Sequence, residues 1–375
     1  MSNMKDNKTR VSFLAIDPYL ESNIVSPREQ RLSGKDFVEW GDRNGYPDYL
    51  LDLYNNVSTL RSVVNGTIDF IAGDSATIVP IREGMTAMNG KGETIFAQIK
   101  SLAKDFCIYG GFALQVIRGR DGEVSEIYHI DMRHLRSNKE NDVFYYCEDW
   151  QKGGKKNVVV YPAFKSNLNW EFLTDEERDR HASSILFVKN VQTQVYPAPL
   201  YAASVKACEM ERCIDDYHLN AINNGFTSSY IINFNNGQPT DEMRKEIEDM
   251  FTEKFTGHQN AARVMFSWNK NKENAITTEK VDVEDFGVKY ESLAKHSRQQ
   301  IFTAFRANPN LFGIPTESLG FSQEEYESAF RLYNRTQVRP VQKMIADAYE
   351  RIYGQQNVLT IVPFSLEEGA EKSVN

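Results

Sequence analysis

Apolar and polar positions divide the chain into two differently patterned halves. In the first half the period switches between 3.6 and 2 residues. Leu60, Val64 and Ile71 share one face of a helix expected from about Ser58 to Ala72, with Gly73 as its stop. Ile95, Ile99, Leu102 and Phe106 stripe a second helix, Glu93 to Tyr109, ended by Gly110-Gly111. Short strands are expected at Thr77–Pro80, Phe112–Arg118, Glu123–Ile130, Val143–Cys147, Val158–Tyr161 and Ser184–Lys189. Asp121-Gly122 turns one strand into the next, and the polar stretch Gln151–Lys156 separates two others. Residues 1–56 read as mixed and loop-rich, with a turn at Tyr46-Pro47-Asp48 and an amphipathic segment over Tyr49–Tyr54. Thr174–Arg180 is a charge run, expected as a solvated face. This half is expected to fold as an α+β domain around a meandering sheet.

The second half is built from long helical patterns. Pro197-Ala198-Pro199 leads into a helix from about Leu200 to Asn223. Ala203, Ala207, Met210, Ile214, Tyr217 and Ala221 repeat along it at alternating spacings of four and three, as in a helix–helix seam. At ~1.5 Å per residue it is a rod of roughly 35 Å. A compact β-α-β module follows. It has a strand at Ser228–Phe234, a turn at Asn235-Asn236-Gly237, and a helix from Thr240 carrying Met243, Ile247, Phe251 and Phe255. A strand at Arg263–Trp268 and a polar loop at Asn269–Asn274 complete it. Phe286–Gly354 then reads as rod, loop and rod. Tyr290, Leu293, Ile301 and Phe305 stripe a helix from about Lys289 to Arg306. The loop Asn308–Phe321 contains Pro309, Gly313, Pro315 and Gly320. Ser322 and Glu325 are spaced as a capping box that opens the last long helix. Its apolar positions are Tyr326, Phe330, Tyr333, Val341, Ile345, Ala348 and Ile352, and Pro340 inside it is expected to bend it. A strand at Val358–Val362 is expected to return to the first-half sheet, and the tail from Glu367 to be disordered.

At 375 residues the chain has room for two or more domains and a sizeable core. Its 41% hydrophobic and 25% charged residues are those of a globular protein rather than a disordered one. No apolar run approaches the ~20 residues of a membrane span, and the polar Met1–Arg10 has no signal core, so neither membrane nor secretion is expected. The net charge of −9 argues against tight duplex binding by counterion release, hence against a repressor or a nucleic-acid coat. It leaves open a surface along which DNA slides. Cys107, Cys147, Cys208 and Cys213 form no Cys-x-x-Cys pair and are expected as free thiols.

No catalytic, metal or cofactor site emerges from the motifs. Asn89-Gly90-Lys91-Gly92-Glu93-Thr94 fails the phosphate-loop pattern because Gly92 stands where Ser or Thr should follow Lys91. His129, Asp131 and His134 lack an evident fourth ligand. Asp215-Asp216 and Glu324-Glu325 are adjacent pairs that diverge on a helix. The loop Asn308–Phe321 admits two readings. In one it is a surface connection with Leu311, Phe312 and Phe321 tucked into the core; in the other it is a working element.

From Gln299 to Gln342 the sequence resembles the portal proteins of tailed bacteriophages. The residues that carry the resemblance begin with Gln300-Ile301, Ala304-Phe305-Arg306 and Pro309-x-Leu311-Phe312-Gly313-Ile314. They continue with Gly320-Phe321-Ser322, Glu325, Phe330 and Val338-Arg339-Pro340-Val341-Gln342. Upstream, Pro199-Leu200-Tyr201-Ala202-Ala203 and Asn223-Asn224-Gly225-Phe226 resemble the ends of that family's first stem helix. Gly110-Gly111-Phe112 with Asp121-Gly122-Glu123 resembles its helix–hairpin. The resemblance covers most of residues 58–363, and its specificity lies in order and spacing.

The resemblance implies a portal-like α+β fold: wing 1–197, stem helix 198–224, clip 225–285, stem helix 286–307, tunnel loop 308–322, and a kinked wing helix with C-terminal strand at 323–375, the crown absent or minimal. It implies a non-enzymatic ring, usually of about twelve subunits, at one capsid vertex of the virion, assembled in the bacterial cytoplasm. Double-stranded DNA passes through it without sequence specificity in packaging and ejection. The terminase large subunit, a head–tail adaptor and the major capsid protein are its implied partners. Asn308, Asn310, Leu311, Phe312, Ile314, Thr316, Ser318 and Leu319 would face the DNA, Lys289, Lys295 and Arg298 would line the stem channel, and Lys254, Arg263 and Trp268 would serve clip docking. Two other classes stay open: a metal-dependent nucleic-acid enzyme using Asp215 or Glu325, and a helical scaffold protein.

Overall fold

A computed structural model describes residues 11–13, 29–30, 36–80, 84–150, 157–223, 230–234, 240–247, 264–268, 284–313 and 322–365. Its elements, in chain order, begin with β1 (Val11–Phe13), β2 (Glu29–Gln30), β3 (Glu39–Trp40), α1 (Tyr46–Asn56), α2 (Ser58–Ala72), β4 (Ser75–Ile78) and α3 (Ile95–Tyr109). Then come β5 (Gly111–Arg118), β6 (Val124–Ile130), β7 (Leu135–Ser137), β8 (Val143–Tyr146), β9 (Val159–Pro162), α4 (Asp175–His181) and β10 (Ser183–Lys189). The remainder is α5 (Val205–Asn223), β11 (Tyr230–Phe234), α6 (241–247), β12 (Val264–Trp268), α7 (Glu284–Ala304), α8 (Gln323–Tyr333), α9 (Arg339–Tyr353) and β13 (Leu359–Val362). The mixed α+β class is as expected.

The chain forms two compact units: a larger one of residues 24–209 and 297–375, and a smaller one of 1–23 and 210–296. In the larger unit α2 and α3 carry the core. Leu60, Val63, Val64 and Ile71 of α2 and Ile99 and Leu102 of α3 are fully buried. Phe112, Leu114 and Val116 of β5 and Val341, Ile345 and Ile352 of α9 join them. Gln98 ties three elements together. Its amide donates to Glu93 and to the Ile127 carbonyl, and its Oε1 accepts from Tyr349 of α9. Gly110 ends α3 in the left-handed region at φ 85, and a Cβ there would meet the Ala198 carbonyl at 2.0 Å, so only glycine fits.

The expected single meander is instead several small sheets. β5 lies between β10 and β6, and β8 between β7 and β9, all antiparallel. The 3-10 turn Met132–His134, capped by Asp131, redirects the chain from the first sheet to the second. β13 does return to the first half, but it pairs with β4 in a sheet of two strands. Pro47 sits in the first turn of α1, where its missing N–H is harmless, so the turn expected at Tyr46-Pro47-Asp48 is a helix start. The charge run Thr174–Arg180 is exposed as expected, yet it is helical. Thr174 and Glu177 form a capping box, and the acidic first turn and basic last turn of α4 match the helix dipole.

In the smaller unit β11 and β12 pair in parallel, as a β-α-β module requires. The sheet has a third strand from residues expected to belong to the first-half domain. β1 pairs antiparallel with β12, Val11 opposite Ser267.

Candidate functional site

The long helices α5 and α7 hold 19 and 21 residues, rods of about 28 and 32 Å. In the larger unit their ends are clamped. Tyr201 stacks on Phe305 with ring centroids 5.6 Å apart, and Ser204 Oγ donates to the Gln300 carbonyl at 3.0 Å. In the smaller unit Tyr217 stacks on Tyr290 at 4.6 Å, with His218 edge-on to Tyr290. The expected seam of α5 is only partly internal. Ala207 and Ile214 are buried, Met210 is half-buried, but Ala203 and Tyr217 are exposed. Ser204, Cys208 and Glu211 are buried instead, which rotates the inward face by about one residue. Ala221 has no described side chain.

α7 stops in a Schellman arrangement. Ala307 N–H donates to the Phe302 carbonyl and Arg306 N–H to that of Thr303. Arg306 holds the left-handed position usual for glycine, at φ 51. The chain then enters the loop under tight local control. Asn308 Oδ1 accepts from Asn310 N–H, Pro309–Phe312 forms a 3-10 turn, and Gly313 leaves it at φ 73. Leu311 is 7% exposed and belongs to the core. Phe312 lies over Gly66 of α2, within a ring cluster formed by Phe70 at 5.9 Å, Phe302 at 6.1 Å and Tyr333 at 5.6 Å. Phe330 and Phe364 extend the cluster around Phe70. A buried 2.7 Å hydrogen bond between Thr67 and Tyr333 closes it. The start of the loop is therefore anchored, as the first of its two readings required for Leu311 and Phe312. Asn308 and Asn310 are half-buried. Ile314, Thr316, Ser318 and Leu319 lie outside the described residues, as does Phe321.

The loop re-enters at Ser322. Ser322 Oγ accepts from Glu325 N–H, and Glu325 reaches back to Ser322 N–H, completing the expected capping box. The disruption expected from Pro340 takes the form of a π-turn over Asn334–Val338 between α8 and α9. Proline lacks the N–H for the usual bond, and its ring crowds the carbonyl four residues back; a widened turn relieves both.

Of the expected channel residues, Lys295 and Arg298 are exposed on α7, and Lys295 pairs with Glu291 at 3.3 Å. Lys289 is on the same helix, without a described side chain. Trp268 ends β12, also without a described side chain, and Lys254 and Arg263 lie outside the described residues.

The weighed metal ligands separate. His129 Nε2 bonds Asp105 Oδ2 at 2.8 Å, whereas Asp131 is engaged by Arg133 at 2.8 Å. His134 stands 5.7 Å from the Tyr146 ring. Among the described residues no cluster of three His, Cys, Asp or Glu suits a metal. Asp215 is exposed and Asp216 half-buried, while Glu324 and Glu325 are exposed. Burial alone would lower the His129 pKa, but the charge and hydrogen bond of Asp105 outweigh it and hold it above its ordinary value. Burial likewise raises the Asp105 carboxyl, against the pull of His129. Arg136 was not singled out in the sequence. It is fully buried, donates to Asn44 Oδ1 and to the carbonyls of Asn44, Arg133 and Leu135, and lies over Trp40 and Trp150. Burial brings its pKa down to about 10. Cys107, Cys147 and Cys208 are buried free thiols and Cys213 an exposed one.

The family model for phage portal proteins matches residues 83–365, three-quarters of the chain. The chain belongs to the phage portal protein family. Its fold is similar to that of a chain in the neck of a native gene transfer agent particle computed with C12 symmetry. The two are 15% identical with a TM-score of 0.52, over 86% of this chain and 86% of that one. A chain from the neck of an empty particle of this kind, computed with C6 symmetry, is 14% identical with a TM-score of 0.53, over 92% and 87%. An HK97 family phage portal protein from Corynebacterium diphtheriae is 11% identical with a TM-score of 0.42, over 84% and 93%. No curated protein matches the chain. No helix among the described residues of this portal-family protein is long and apolar enough to cross a membrane.

Proposed function

We propose that the chain is the subunit of a non-enzymatic ring at one capsid vertex, through which double-stranded DNA enters during packaging and leaves during ejection. The observation that carries this is the order of parts in a portal-family chain: long helix, β-α-β module, long helix, anchored loop, π-interrupted helix. In this reading α5 and α7 are the stem, residues 225–285 with the added strand β1 the clip, 308–322 the tunnel loop, and 24–197 with 323–375 the wing. Closed rotational symmetry joins different faces of neighbouring copies. Ala203, exposed in the 3-10 turn before α5, and Tyr217, exposed on α5, supply small and aromatic positions for such a contact.

The anchored start of the loop supports a division of labour. Leu311 and Phe312 fix where the loop leaves the wing, and Ile314, Thr316, Ser318 and Leu319 are the part that meets DNA. Small and apolar groups touch a phosphate backbone without holding it, and an acidic chain around DNA favours sliding over sticking. Lys295 and Arg298, with Lys289, are the proposed channel-facing cations of the stem. The clip, through Lys254, Arg263 and Trp268, receives the terminase large subunit and later the head–tail adaptor, and the wing meets the major capsid protein. Gold labelling of an epitope-tagged copy in assembled particles tests the placement. Label at a single vertex is expected; label spread over the shell, or absent from particles, contradicts it.

A further inference from the structure

Between Glu327 and Asp347 the chain has no acidic residue and four basic ones, Arg331, Arg335, Arg339 and Lys343, each four residues from the next. All four side chains are exposed. None forms an ion pair among the described residues. In a chain of net charge −9 such a run stands against the average. Like charges four apart on a helix repel, so the run works against the stability of its own helix.

The π-turn gives these charges their alignment. In a plain α-helix, positions four apart drift by about 40° per step, so three steps would wind the charges some 120° around the axis. A π-turn advances fewer degrees per residue. Its effect on the inward face is visible: Tyr333 and Val338, five residues apart, are both buried, and Val338, Val341, Ile345, Ala348 and Ile352 resume the spacing of three and four. The same re-phasing keeps Arg331 before the turn, Arg335 within it, and Arg339 and Lys343 after it on the outward side. The result is a straightened basic stripe of about 18 Å, with one charge per ~6 Å.

We infer that this stripe is a docking surface for the phosphate backbone of duplex DNA, separate from the proposed tunnel loop and stem. The inference rests on the portal reading for bringing DNA to the protein. Duplex DNA carries one negative charge per ~1.7 Å of axis, so it meets every cation of the stripe at any sequence and any rotation. A protein partner would need carboxylates at a matching repeat over the same length. The stripe holds only long flexible cations, a set that positions a backbone and does not read bases. Net charge opposes long-range attraction, but at 0.1 M salt the Debye length is about 10 Å, so the local run governs contact.

The test is fluorescence anisotropy of a labelled mixed-sequence 30-base-pair duplex with the full-length protein between 50 and 200 mM NaCl. Four engaged cations predict a slope of log affinity against log salt of about −3.6 per stripe, a fall of about 150-fold across this range. The variant R331Q/R335Q/R339Q/K343Q should lose most of that slope while keeping its melting temperature, and R331K/R335K/R339K should retain it. A glutamine variant with unchanged affinity and slope overturns the inference. Polyglutamate competing better than DNA of equal charge also overturns it, in favour of an acidic protein surface. Electron micrographs of the same samples separate the two readings. Rings whose DNA binding ignores the stripe remove this inference alone, and stripe-dependent binding by a chain that never forms rings removes the portal reading alone.

Discussion

Gly66→Ala should change sign depending on whether Phe312 is present. Gly66 lies inside α2, where alanine is preferred over glycine by about 1 kcal/mol. A Cβ at this position would sit 2.6 Å from Phe312 Cδ1 and 2.8 Å from Cε1. Ordinary carbon contacts are ~3.5–4.0 Å, so the ring must retreat by roughly 1 Å. Phe70, Phe302 and Tyr333 surround it and leave little room. Overpacking of this kind costs about 1–3 kcal/mol. The clash offsets or outweighs the propensity gain, and Gly66→Ala should destabilise the protein by up to roughly 2 kcal/mol. In a Phe312→Ala background the clash disappears and the same substitution should stabilise by about 1 kcal/mol. The coupling, about 1–3 kcal/mol, is read from urea unfolding of the four proteins of the cycle, followed by far-ultraviolet circular dichroism. Equal stabilisation by Gly66→Ala in both backgrounds would refute the anchoring of the loop on α2.

Three further outcomes are expected. Arg306→Gly should raise stability by about 1 kcal/mol in the same unfolding assay, because Arg306 occupies a left-handed position that glycine adopts freely. The raised His129 pKa contributes stability that is complete below the unfolded value of about 6.5 and is lost as pH rises through the folded value; the raised Asp105 pKa acts in the same direction. Melting temperature should therefore fall above pH 6.5, and His129→Gln should flatten that profile. Leu311→Ala should cost about 2–4 kcal/mol of stability as a core truncation, whereas Thr316→Asp with Ser318→Asp should leave the melt unchanged and lower the DNA content of particles, measured by density.

What the sequence disclosed was mostly local. α2, α3 and α8 were legible because their stripes end in specific chemistry: Gly73, Gly110, and the Ser322–Glu325 box. α4 was missed because an exposed helix has no apolar stripe, although its Thr174–Glu177 box was present. The pairing of β1 with β12 joins residues some 250 positions apart and leaves no local mark. The same is true of the candidate site. Its boundaries and caps could be read, but Phe312 over Gly66, Asp105 against His129 and the enclosure of Arg136 depend on contacts between distant segments. The π-turn was foreshadowed by Pro340 as a disturbance, without its form. The seam of α5 was displaced by about one residue because its spacing of four and three does not say which flanking position turns inward.

The central claim is that copies of this chain close into a ring. Native mass spectrometry of the purified protein, with negative-stain images of the same preparation, tests it most directly. A closed assembly of about twelve copies with a central channel is predicted. A monomer or small open oligomer under every assembly condition, with no rings in virions, would contradict it.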